Sequence, residues 1–110
     1  MPQNRQEMIV IQAVETELEL TLEEFCLVCE VEREFIKKLI QHGTIEINGP
    51  SVEHARFNAE HLRRVQAALR LHHDLGINHA GIALTLDLLD EIGELRQQLD
   101  VLERYFSALR

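Results

Sequence analysis

The residues best suited to chemistry are Cys26 and Cys29, the only two cysteines, set at the C-x-x-C spacing used by zinc ribbons and thiol oxidoreductases. A structural zinc site needs four ligands, and this pair supplies half of a set. The six histidines do not complete it: His72 and His73 are neighbours that a helix points in different directions, and no His-x-x-x-His pair accompanies them. A redox cysteine works from an exposed helix N-terminus with a depressed pKa, whereas Cys26 and Cys29 fall near a helix end beside glutamates that raise a thiol pKa. The expectation is therefore that both thiols pack as small hydrophobes, with no metal and no cofactor. No serine stands in a nucleophile elbow, no glycine-rich loop cradles a phosphate, and Asp90-Glu91 sit on an exposed helix face. The sequence reads as non-enzymatic.

The elements around these residues read as mainly α with a small β wing. Met8 to Val14 is apolar and partly β-branched, and Glu17 to Leu20 alternates, which predicts one or two short strands. Thr21 and Glu24 form a capping box that starts a helix at Leu22 running to about Val28, its inner face carrying Leu22, Phe25, Cys26 and Cys29. A second helix from about Glu32 to Gln41 buries Phe35, Ile36, Leu39 and Ile40, with Gly43 as its stop. Thr44 to Ile47, the turn at Asn48-Gly49-Pro50, and Val52 to Phe57 predict a β-hairpin wing. Asn58 caps a third helix from Ala59 to about Leu75, with Leu62, Val65, Leu69 and His72 along one side and Gly76 closing it. Asn78 caps a fourth helix of about thirty residues. The organisation is a winged helix-turn-helix with a third helix over 1–76 and a long C-terminal helix over 77–110, forming one domain.

That last helix carries Leu88, Ile92, Leu95, Leu99, Leu102, Phe106 and Leu109 at alternating steps of four and three, a heptad seam about 30 Å long at 1.5 Å per residue. Intramolecular packing on the third helix is one way to cover it. That helix is shorter, so a two-chain coiled coil is the preferred reading, which makes this the dimerisation helix of a homodimer.

The net charge of −8 is concentrated at the beginning. Residues 1–34 hold nine acids against Arg5 and Arg33, whereas the remainder holds ten acids and nine bases. Such an end repels nucleic acid and anionic membrane and attracts a basic protein surface. A winged helix-turn-helix suggests a DNA reader first, but Glu30, Glu32 and Glu34 stand where a recognition helix needs base-reading and phosphate-binding side chains. Arg33, Lys37, Lys38, Arg56, Arg63, Arg64 and Arg70 leave some basic character. Charge repulsion nevertheless removes the counterion release on which useful DNA affinity depends. There is no basic, apolar leader at the N-terminus and no uncharged apolar run of membrane-spanning length, so the expected compartment is cytoplasmic, with no membrane partner.

Three stretches carry a family likeness: Thr21-Leu22-Glu23-Glu24-Phe25-Cys26, Leu39 to Ile45, and above all Arg70-Leu71-His72-His73-Asp74-Leu75-Gly76-Ile77-Asn78 running on through Gly81-Ile82-Ala83-Leu84 to Leu89. From about Leu18 to Leu109 the chain resembles the chaperone modulatory protein family. These are small MerR-like proteins that bind and inhibit the J-domain of curved-DNA-binding protein A, a DnaJ-type co-chaperone. The resemblance implies a MerR-like winged helix-turn-helix used for protein recognition, a dimer through the C-terminal helix, and no catalysis. It also implies that an acidic partner covers the basic face a J-domain offers to Hsp70. Cys26 matches the family's single cysteine position, and Phe57 stands where the family pattern carries a tryptophan. The expected partner-binding residues are Glu23, Glu24, Glu30, Glu32 and Glu34. The alternative is a MerR-like DNA-binding transcriptional regulator.

Overall fold

The structure is a computed structural model, and it describes residues 19–110. The strand expected over Met8 to Val14 lies outside these residues, as does most of the one expected over Glu17 to Leu20. Four α-helices follow one another: α1 (Leu22–Cys29), α2 (Arg33–Gln41), α3 (Ala59–Leu75) and α4 (His79–Ala108). A 3-10 turn, Val52–His54, lies between α2 and α3.

Each helix starts where its cap residue dictates. Glu24 N–H donates to the Thr21 hydroxyl at 3.3 Å and the Glu24 carboxylate accepts from Thr21 N–H at 2.9 Å, completing the capping box of α1. At α3, His61 N–H donates to the Asn58 side-chain oxygen at 3.1 Å and His61 Nδ1 accepts from Asn58 N–H at 3.1 Å. Asn78 takes the Gly81 N–H at 2.8 Å to open α4. Gly76 ends α3 at φ +64°, where a side chain on Cβ would be strained.

The core joins these elements through Phe25 and Phe57, both fully buried and stacked with ring centroids 4.4 Å apart. Leu22 and Cys29 from α1, Ile36 and Leu39 from α2, Leu62, Val65 and Ala68 from α3, and Ile82 and Leu86 from α4 close around them. Phe35, Ile40 and Leu69, expected inside, are half-buried at the margin of this core. Phe35 lies among histidines, 5.0 Å from the ring of His79 and 6.0 Å from that of His72. Burial holds the pKa of His79 below its ordinary value, with smaller contributions from Lys38, His42 and His72.

The β wing is the one expected element that does not form: among the described residues there is no β-strand, only an isolated antiparallel bridge between Leu20 and Phe57. Two side chains of α3 explain this. The Thr44 carbonyl accepts from Arg64 Nε, and the Glu46 carbonyl lies 2.7 Å from His61 Nε2, so groups that a hairpin would need are already engaged. Phe57 spends both its backbone groups on Leu20, each bond 2.8 Å long. Residues 52–54, meant to return as a strand, turn as 3-10 instead.

Only the first two turns of α4 belong to the core, since Ile82 and Leu86 are buried and every residue from Asp87 to Arg110 is exposed. A helix of 30 residues is about 45 Å long, and it stretches the molecule to 55 × 32 × 32 Å. The radius of gyration is 16.6 Å, against about 13 Å for a compact chain of this size. Arg64 braces the root of the helix. It is 20% exposed, donates to the Thr44 carbonyl, and reaches across to Asp90 at 2.7 Å and Asp87 at 3.7 Å.

Candidate interaction surface at the helix-turn-helix

The turn between α1 and α2 is built by one residue in an unusual conformation. Glu30 caps α1 at φ +59°, ψ +45°, the sole non-glycine residue with positive φ among those described. Its N–H donates to the Leu27 carbonyl at 3.3 Å, and the Val31 N–H donates to the Cys26 carbonyl at 3.1 Å. Glycine is the usual occupant of such a position because a Cβ there costs about 1–2 kcal/mol. Glu32 then opens α2 as its N-cap in extended conformation, and its side chain makes no capping bond.

This reversal leaves an open groove of about 530 Å³ lined by Glu23, Cys26, Leu27, Glu30, Val31, Glu32 and Arg33. Three carboxylates stand on it against one guanidinium, and Arg33 is bound to Glu23 at 2.9 Å across the turn. Apolar side chains stand beside these charges. Leu27 is 79% exposed, in contrast to Leu22, Phe25 and Cys29 on the opposite face of the same helix. At 100° per residue Leu27 lies about 140° from Leu22, so its outward direction was readable from spacing alone. Leu27 and Val31 join the expected glutamates on this surface.

The five expected glutamates divide accordingly. Glu23, Glu30 and Glu32 meet at the groove. Glu24 is committed to the capping box, and the Thr21 backbone bond holds its carboxyl below the usual pKa. Glu34 sits on α2 beside Lys37, 3.9 Å away, and Lys37 also reaches Glu53 at 3.6 Å. Both cysteines are thiols. Cys29 is buried and its pKa is pushed up to about 12 by burial. Half-buried Cys26 is also raised, chiefly by burial and only slightly by Glu32, while Arg33 pulls the other way. Neither is poised for thiolate chemistry at neutral pH. No group of three or more His, Cys, Asp or Glu among the described residues is placed to hold a metal ion.

The second expected surface is the seam on α4. Leu88, Ile92, Leu95, Leu99, Leu102, Phe106 and Leu109 are 44 to 65% exposed in the single chain, so α3 does not cover them. Several bases considered for DNA contact are occupied elsewhere: Arg33 with Glu23, Lys37 with Glu34 and Glu53, Arg63 with Glu60, and Arg64 with Thr44, Asp87 and Asp90. No helix among the described residues is long and apolar enough to cross a membrane.

Comparison with known proteins places this arrangement in a family. The model of the MerR HTH family regulatory proteins matches residues 20–104. Chaperone modulatory protein CbpM of Coxiella burnetii is 37% identical over 92 residues, covering 84% of this chain and 87% of that protein. The CbpM proteins of Pseudomonas entomophila and Pseudomonas putida are 26% and 28% identical over 87 residues, each covering 79% of this chain and 86% of theirs. A cap-defined helix-turn-helix, a long trailing helix and similarity across nearly the whole described chain lead to one conclusion: the protein belongs to the chaperone modulatory protein CbpM family of MerR-type helix-turn-helix proteins.

Proposed function

We infer that this protein modulates a chaperone system without catalysis, by binding the J-domain of a DnaJ-type co-chaperone and inhibiting it. The observation that carries this reading is the groove at the α1–α2 turn, where Glu23, Glu30 and Glu32 gather on a helix-turn-helix that in a DNA reader would be basic. A J-domain recruits Hsp70 through a basic helix face, so a protein that covers this face with carboxylates competes with Hsp70. Opposite charges on the two surfaces accelerate encounter and make it salt-dependent. The pairing of Arg33, Lys37 and Arg64 with acids of the same chain weakens the case for the MerR-like DNA-binding regulator. The working form is a homodimer joined along the α4 seam, and the compartment is the cytoplasm, where J-domain and Hsp70 meet.

Titration of the isolated J-domain with the full chain tests this, followed by the variant in which Glu23, Glu30 and Glu32 all become Lys. Binding by the native chain, with an association rate that falls steeply with salt and collapses in the triple variant, is the expected result. No binding of the native chain at low salt would refute it.

A further inference from the structure

We propose that Leu27 is the apolar anchor of the α1–α2 groove, and that the surface is shaped for an amphipathic basic helix with a hydrophobic side chain set between its positive charges. The inference rests on the reading of this groove as the J-domain site and adds what the carboxylates alone do not specify. A lone exposed leucine on a convex surface is ordinary. Leu27 is different in its setting: 79% exposed, it stands with Cys26 and Val31 in a shallow, open depression that Glu23, Glu30 and Glu32 also line. The apolar side of α1 is spent on the core, with Leu22, Phe25 and Cys29 buried, whereas Leu27 points the opposite way and contributes nothing to the inside of the protein.

Charge complementarity fixes the occupant's sign, because three carboxylates against one guanidinium leave a negative rim. The exposed leucine fixes the rest. A polyanion such as nucleic acid is repelled, and a purely basic chain satisfies the rim but leaves Leu27 in water. An amphipathic basic helix does both, placing an aliphatic or aromatic residue over Leu27 while its lysines or arginines meet Glu30 and Glu32. The two kinds of contact then divide the kinetics: rim charges set the association rate, and the desolvated centre sets the lifetime of the complex.

The test is stopped-flow association and dissociation of the J-domain with the native chain and with Leu27→Ala. The position is exposed on a helix where alanine is well tolerated, so circular dichroism should show an unchanged melting temperature. Loss of the anchor is expected to raise the dissociation rate roughly tenfold while leaving the association rate and its salt dependence as they were. Leu27→Met should recover most of the native lifetime. A native chain that binds while Leu27→Ala dissociates within twofold of it would overturn the proposal. Should the native chain fail to bind the J-domain, the functional reading falls, and a second arm decides the anchor. A basic amphipathic helical peptide should then bind more tightly than oligolysine of equal charge, and lose that advantage with Leu27→Ala. Equal binding of the two would refute the anchor on its own.

Discussion

Glu30 occupies a backbone position that evolution ordinarily gives to glycine, at φ +59° in the cap of α1. Strain of this kind clusters at functional positions, and here the carboxylate lines the depression at the α1–α2 turn. Glu30→Gly is accordingly predicted to stabilise the fold by about 0.5–1 kcal/mol, because relief of the left-handed cost exceeds the extra entropy of an unfolded glycine. The same variant should bind the J-domain more slowly. Chemical denaturation beside a binding-rate measurement checks both, and a destabilised protein with native association kinetics would contradict the assignment. At this scale the sequence was partly legible. The capping role of Glu24 and the burial of Cys29 followed from spacing. The separation of Glu24 from Glu23, Glu30 and Glu32 did not, since two adjacent glutamates carry the same charge whichever way the helix turns them.

Among the elements, helix ends were the most readable because each depends on side chains a few residues away. Thr21, Asn58, Asn78 and Gly76 stand at the caps where local chemistry puts them. The wing was unreadable for the opposite reason. Its carbonyls are taken by Arg64 and His61, 20 and 15 residues further on, and nothing in the alternation of Thr44 to Ile47 announces those partners. The long helix is a third case: its heptad seam was plain in sequence, and its exposure in the single chain supplies the reason to expect a second copy. Light scattering at micromolar concentration should give twice the chain mass, independent of salt. Leu95→Lys combined with Leu99→Lys, which places charges at adjacent d and a positions of the seam, should give a monomer that keeps its helix-turn-helix. A native chain that scatters as a monomer would remove the dimer from the account.

The whole molecule separates two surfaces that its sequence had already separated by composition. Residues 1–34 are strongly acidic and the rest is nearly balanced, and among the described residues the fold sets three of those acids at the α1–α2 turn and an apolar helix face elsewhere. Arg64 ties α3 to the Thr44 carbonyl and to Asp87 and Asp90 at the root of α4. On this arrangement the chain keeps a MerR-type helix-turn-helix and carries on its turn the charge that a DNA reader would avoid. The most direct measurement is an amide chemical-shift map of the full chain titrated with unlabelled J-domain. Perturbations are expected to concentrate between Glu23 and Arg33, centred on Leu27, Glu30 and Val31. Perturbations confined to α4, or none at all, would contradict it.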